Sequence, residues 1–485
     1  MSKKAFNKYK SLPVQVRASF WFLICAFLQK GISFITTPIF TRLLTTDEYG
    51  IFNVYNSWMG ILTVIVTLNL GRGVFVRGMV KYKDEKEQFA SSLQGLSIVL
   101  VAVWSVVYLI FSKQINQYTG LTTVQMVLMM ITIWMTAVFT FWSVEQRVNL
   151  EYRMLVIITA IVSIARPALG IILVVNTSEK VTARILGIAA VDFIAYIGLL
   201  NSQLRRGKVF YSRKFWKHAL SFNVPLVPHY LSQTVLNSAD RIMINSMVNA
   251  SAAGIYGLAY SISQIMTMFN TALMQTVEPW LYEKINDKKI EDISKVAYPT
   301  FVIIALVNLA LMSLAPEVVR IFAPAAYYDA IWVIPPVAMS VFFTFSYAFF
   351  AVFEFYYKKT NLVAVASCAG AVLNIILNYI FIKIFGYYAA GYTTLFCYIV
   401  YAMFHYFFMK KLCKQYLDGR EPFSTKIYLL IATVFMVVGF TLLFLYNYSI
   451  IRYSIVVIAL VVAFIKRKMI IKTIKMLMSA RKKKT

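Results

Sequence analysis

The chain has 485 residues, 60% of them hydrophobic and only 14% charged, with a mean hydropathy of +0.69. Ordinary soluble domains carry about a quarter charged residues, so a water-soluble fold is excluded. The formal net charge of +28 would suggest a nucleic-acid partner in a soluble chain. Here the Lys and Arg lie in short segments between apolar runs, the pattern of a positive-inside bias, so no nucleic acid is expected. Part of this charge should favour anionic lipid headgroups.

A spanning helix needs roughly 20 mostly apolar residues. On that rule the first span lies near 18–41, after a basic N-terminus (Lys3, Lys4, Lys8, Lys10, Arg17) without a small-residue cleavage site, and is expected to remain uncleaved. Further spans fall near 51–76, 91–112, 123–144, 153–175 and 182–203. A second set follows near 218–247, 252–279, 296–315, 331–354, 361–383 and 387–409, and a final pair near 426–446 and 450–465. The expected fold is therefore all-α and polytopic, with about fourteen transmembrane helices. With the N-terminus inside, 37 of the 48 Lys and Arg fall in inward segments, 7 in outward segments and 4 inside spans. That asymmetry places both termini in the cytoplasm.

The segment Tyr49-Gly50-Ile51-Phe52 is echoed by Ala253-Gly254-Ile255-Tyr256, each opening the second helix of a six-helix set. Parallel repeats of this kind are common in transporters. The expected organisation is an N-terminal lobe over 1–210, a C-terminal lobe over 211–415, and helices 13 and 14 with a basic tail over 416–485.

No GxxxxGK[ST] loop, HExxH or GxSxG motif occurs, and three scattered His (His218, His229, His405) do not make a metal centre. The four Cys fall within or at the end of apolar runs without CxxC spacing and read as small buried hydrophobes. No catalysis, cofactor or metal is expected.

Ionisable groups inside a span are costly and are functional candidates by default. Lys30 in the first span, Arg166 in the fifth, Asp192 in the sixth, and Asp240 with Arg241 in the seventh qualify. Arg72, Glu278, Glu354 and His405 fall near cytoplasmic ends, where snorkelling to the interface is expected. In the seventh span His229, Gln233, Asn237 and Asp240 share one helical face, and Gln29 and Ser33 flank Lys30. Such stripes suit helices that line a watery vestibule, or serve as helix–helix contacts. Arg166 and Asp192, on adjacent spans, could also pair. Deep cations outnumber deep acids, which suits an anionic, phosphorylated ligand. Pro38, Pro167, Pro225 and Pro228 should bend the first, fifth and seventh helices.

The segments Lys30-Gly31-Ile32-Ser33-Phe34, Pro38-Ile39-Phe40-Thr41-Arg42-Leu43-Leu44 and Glu48-Tyr49-Gly50-Ile51-Phe52 resemble the opening of the Wzx-like polysaccharide repeat-unit flippases. These belong to the multidrug/oligosaccharidyl-lipid/polysaccharide exporter superfamily. Ser238-Ala239-Asp240-Arg241 with Ala253-Gly254-Ile255-Tyr256 resembles the start of their second lobe. The resemblance implies two six-helix lobes around a central cavity, and an undecaprenyl-diphosphate-linked oligosaccharide as substrate. It further implies a bacterial cytoplasmic membrane location and a polysaccharide polymerase as a candidate partner. Lys30 and Arg241 are the cationic positions that carry over; Arg166 rests on its depth alone. A cation-coupled multidrug antiporter and a lipid-linked peptidoglycan precursor flippase are the alternatives within the superfamily.

Overall fold

Apolar runs of this length have no water to satisfy their backbone, so every peptide group must bond within its own segment. The computed structural model describes residues 14–465, and among the described residues helices dominate and no strand occurs. They fall into two compact units that divide between Thr234 and Val235.

The first unit contains α1 (Val14–Leu43), α2 (Thr46–Thr67), α3 (Val74–Lys81), α4 (Lys86–Ile110), α5 (Ser112–Thr119), α6 (Thr123–Val148), α7 (Tyr152–Val175), α8 (Lys180–Gly207) and α9 (Arg213–Asn223). A short 3-10 turn over Val224–Leu226 leads into α10 (Val227–Met247), within which the two units divide. α8 packs along α4, α6 and α7, and α1 packs on α7. The α7–α8 crossing is close because two glycines meet: a Cβ on Gly187 would stand 2.8 Å from the Gly170 amide nitrogen. One core cluster joins α2, α4, α6 and α8 through Phe52, Tyr55, Val101, Met129, Ile133 and Ile185. Another joins α3, α4 and α9 through Phe75, Met79, Phe89 and Phe215.

The second unit contains α11 (Ala250–Ser263), α12 (Ile265–Asn286), α13 (Ser294–Ser313), α14 (Ala315–Phe322), α15 (Ile334–Tyr356), α16 (Thr360–Phe385), α17 (Ala389–Tyr416), α18 (Thr425–Phe444) and α19 (Ser449–Ile465). α15 is its axis and packs against α11, α12, α13, α16, α17 and α18. Phe301, Phe342, Phe349, Phe350, Phe423, Tyr428 and Phe435 interlock around it at ring separations of 4.7 to 6.4 Å.

The internal repeat has a structural counterpart. Thr45 caps α2 in a reciprocal box with Glu48, and Asn249 caps α11 by accepting from the Ala252 amide. Tyr49 and Ala253 each stand four residues past their cap, so the repeats open their helices in one register.

Among the described residues, eleven helices are long and apolar enough to cross a membrane. They match eleven of the about fourteen expected spans. The other three differ for identifiable reasons. The seventh breaks into α9, the 3-10 turn and α10, because Pro225 and Pro228 remove backbone donors. The eighth divides at Gln264 into α11 and α12. The fourteenth is short, with an apolar stretch over Ser449–Ile458. The second expected span also ends early: α2 stops at Thr67 with Leu68 and Asn69 in the left-handed region, and α3 begins only after Gly73. Gly73 needs a positive φ, and its missing Cβ leaves room for Phe222 and Tyr230.

Candidate functional site

In the first unit, Arg166 on α7 meets Asp192 on α8. Nε to Oδ1 is 2.5 Å and Nη2 to Oδ2 is 2.7 Å, a bidentate fork. Asp192 is wholly buried, whereas Arg166 keeps about a third of its surface open (35%), so the pair has an accessible cationic edge. Gln29 on α1 is exposed. α1 carries Lys30 at helical backbone positions, but its side chain lies outside the described residues. Near the same helix, the Arg42 guanidinium donates to the Pro38 carbonyl at 2.8 Å. Arg184 on α8 lies over the rings of Phe40 and Phe52 at 3.8 and 3.5 Å.

A second buried network, absent from the sequence reading, ties α4, α6 and α8. Gln94 donates to Gln203 at 2.6 Å, Gln203 donates to Glu145 at 2.6 Å, and Arg206 reaches the same carboxylate at 2.9 Å.

On α10 the expected polar face is divided. His229 and Gln233 are half-buried in the first unit. Asn237 and Asp240 of that face belong to the second, with Arg241 beside them. Asp240 is buried and accepts from Asn378 at 2.6 Å, Tyr256 at 2.6 Å and Thr394 at 2.8 Å. Thr393 in turn donates to Asn378. Asn237 accepts from Tyr260 and Tyr398 at 3.2 and 3.1 Å. Arg241 is half-buried, donates to the Asn237 carbonyl at 2.5 Å and lies over the Tyr260 ring at 4.5 Å. The second unit therefore presents a guanidinium within a tyrosine-lined shell, directly behind which a carboxylate holds three donors.

Two further placements correct or extend the sequence reading. Glu354 and His405, expected to snorkel at helix ends, are fully buried and bond to each other at 2.6 Å, beside Tyr347 and Tyr401. Desolvation drives this: neither α15 nor α17 offers them a wet exit, so each gives the other a hydrogen-bond partner. Arg452, which the sequence reading did not single out, is buried and grips Glu317 with two bonds of 2.8 Å and the Ser313 carbonyl with one of 2.6 Å. These contacts hold the Glu317 carboxyl well below its ordinary range, at about 2. A separate cavity of about 570 Å³ between α16 and α17, lined by Leu377, Phe381, Phe385, Tyr392 and Phe396, is almost wholly apolar.

Long apolar helices, a repeat with matched caps and charged groups held at span depth define a multi-pass membrane protein. The chain belongs to the polysaccharide biosynthesis protein family, which it matches over residues 16–285. The MatE family also matches, over residues 225–380. The Lsg locus putative protein 1 of Haemophilus influenzae is 21% identical over 374 residues, covering 73% of this chain and 87% of that protein. An uncharacterized membrane protein of the same organism is 20% identical over 367 residues, covering 73% and 86%. Among solved structures, the lipid II flippase MurJ in an inward closed conformation superposes with a TM-score of 0.68 at 14% identity, covering 94% of this chain and all of that one. An inward-facing multidrug resistance MATE family transporter gives 0.59 at 14% identity, covering 79% and 96%. At these identities the structural likeness concerns the fold. The fold is the one shared by the lipid II flippase MurJ and the MATE family transporters.

Proposed function

We propose that the protein is a flippase that carries an undecaprenyl-diphosphate-linked oligosaccharide repeat unit from the cytoplasmic to the outer leaflet of a bacterial cytoplasmic membrane by alternating access. The match to the polysaccharide biosynthesis protein family over residues 16–285 carries this reading. The deep cations support it. In the first unit, Lys30 and the open edge of Arg166 would meet phosphate oxygens, with Gln29, Gln233 and His229 offering hydrogen bonds to sugar hydroxyls. Asp192 would hold the Arg166 fork in place. In the second, Arg241 would meet phosphate, with Asn237 and Asp240 fixing its surroundings. The proposed lobes are 1–210 and 211–415, with 416–485 as an appended pair of helices and tail. Both termini would be cytoplasmic, as the charge asymmetry requires. An inside-negative potential would favour outward movement of the diphosphate by roughly 4.6 kcal/mol per 100 mV for two unneutralised charges. A polysaccharide polymerase would take the product on the outer side.

The test is transport in proteoliposomes loaded with a lipid-diphosphate-linked oligosaccharide, comparing the unaltered chain with Lys30→Ala and Arg241→Ala. Flipping by the unaltered chain and a loss of at least tenfold in each variant are expected. Normal flipping in both variants would remove these residues from the site. Export of a cationic dye without movement of any lipid-linked sugar would favour the antiporter reading that the MatE match suggests. Movement of a peptidoglycan precursor alone would favour a function like that of MurJ.

A further inference from the structure

The basic segment between α8 and α9 is not needed for the transport reading and has a geometry of its own. It carries six cations: Arg205, Arg206, Lys208, Arg213, Lys214 and Lys217. Two are neutralised: Arg206 pairs with Glu145 at 2.9 Å and Lys214 pairs with Glu85 at 2.5 Å. Arg205, Lys208, Arg213 and Lys217 are exposed, and none has an ion-pair partner among the described residues. The segment does not project freely into solvent. A Cβ on Gly207 would collide with the Glu87 carbonyl, and one on Gly95 would collide with the Phe210 carbonyl, so the backbone lies against α4 at both points. The Trp216 indole donates to the Ser92 carbonyl at 2.9 Å, and Phe215 and Ala219 bury the inner face of α9. Gly95 stands four residues, about 6 Å along the helix axis, inside the expected start of that span at residue 91. At this level Phe210 and Tyr211 remain exposed, at 49% and 60%.

An exposed aromatic pair just inside the apolar boundary, flanked in the chain by four cations that have no ion-pair partner among the described residues, has the composition of a lipid interface site. We infer that Arg205, Lys208, Arg213 and Lys217 bind the headgroup phosphate of an anionic phospholipid whose upper acyl chains pack on Phe210 and Tyr211. Charge complementarity selects an anionic lipid over a zwitterionic one: none of the four cations forms an ion pair among the described residues. The exposed rings select a lipid over a soluble phosphate, because they offer apolar surface that a free ion cannot use. Lys214 and Arg206 hold the segment to the protein and do not serve as ligands.

Each cation near an anionic lipid surface contributes about fivefold in affinity (about 1 kcal/mol), so removing four should weaken binding by at least tenfold even when their effects overlap. The experiment uses the purified full chain in nanodiscs and native mass spectrometry, with phosphatidylglycerol and phosphatidylcholine as probes. The unaltered chain should retain phosphatidylglycerol preferentially. Arg205→Gln/Lys208→Gln/Arg213→Gln/Lys217→Gln should lose that preference by tenfold or more, and the charge-keeping set Arg205→Lys/Lys208→Arg/Arg213→Lys/Lys217→Arg should restore it. Phe210→Ala/Tyr211→Ala should weaken retention of phosphatidylglycerol while the charge is intact. Equal retention of both lipids by the unaltered chain would overturn the inference, as would undiminished phosphatidylglycerol binding by the Gln variant. Displacement of the lipid by millimolar glycerol 3-phosphate would mark a free-phosphate site and overturn it equally. None of these readouts depends on which molecule the protein transports.

Discussion

Asp240 offers a sharp test of whether a buried carboxylate serves the fold or the cargo. Its two oxygens accept from an amide on α16, a phenol on α11 and a hydroxyl on α17. Asp240→Ala strands all three donors away from water. Interhelical hydrogen bonds measured in a membrane protein average about 0.6 kcal/mol each, which gives a lower estimate of about 2 kcal/mol. The desolvation cost of orphaned donors, about 1–3 kcal/mol each, raises the figure to about 5 kcal/mol. Asp240→Asn is different. Its carbonyl can still accept from Asn378, while its amide nitrogen meets two hydroxyls, Tyr256 and Thr394, that can rotate and accept instead. The Asn variant should therefore stay within about 1 kcal/mol of the unaltered chain. Three of the four cysteines are buried, so thermal unfolding in detergent can be followed with a thiol-reactive dye. The expected order of midpoints is unaltered, Asn, then Ala well below. An Asn variant as unstable as Ala, or an Ala variant that unfolds with the unaltered chain, would refute the hydrogen-bond accounting. A stable Asn variant that no longer flips would assign the negative charge to transport.

Other consequences follow from the same kind of reasoning. Arg166→Met should destabilise the first unit by about 3–5 kcal/mol because Asp192 is left buried and unpaired. The double variant Arg166→Met/Asp192→Leu should recover most of that loss in the same dye assay. Gly95→Ala should cost about 1–3 kcal/mol by overpacking, because the new methyl meets the Phe210 carbonyl; unchanged unfolding would show that the segment is not seated on α4. The Glu317 carboxyl is depressed in the folded state, so its pairing with Arg452 stabilises above pH about 4.5 and is lost as pH falls towards about 2. Partial exposure reduces this term to about 1–2 kcal/mol. Glu317→Gln should remove the corresponding drop in midpoint between pH 5 and pH 3.

Much of the architecture was legible because lipid imposes a simple length rule. Helices α4, α6, α7, α8, α13, α15, α16, α17 and α18 all overlap the apolar runs from which they were expected. The repeat was readable from a few residues because a cap fixes register: Thr45 and Asn249 sit at the same offset from the repeated string. Helix breaks were less legible. Pro225 and Pro228 marked a bend, but hydropathy alone did not separate α9 from α10. Partnerships were the least legible. The i, i+3 spacing put Asn237 and Asp240 on one face, yet Asp240's partners Tyr256, Asn378 and Thr394 come from helices up to 154 residues away. No local pattern encodes that. Glu354 and His405 were missed for the same reason: each alone looks like a residue near a span end, and only the α15–α17 contact makes them a pair. A search for polar residues at similar depth on different spans would have found them.

The carboxylate of Asp240 has a mechanical consequence. Because α10, α11, α16 and α17 all meet at one small anion, none of them can slide by a helical turn past another without breaking every bond at that point. The C-terminal half of α10 is thereby welded into a stiff block. Any flexing of this helix during a working cycle is expected before Asn237, where the prolines have already thinned the backbone ladder, and spin labels placed either side of Pro228 would show where the joint lies.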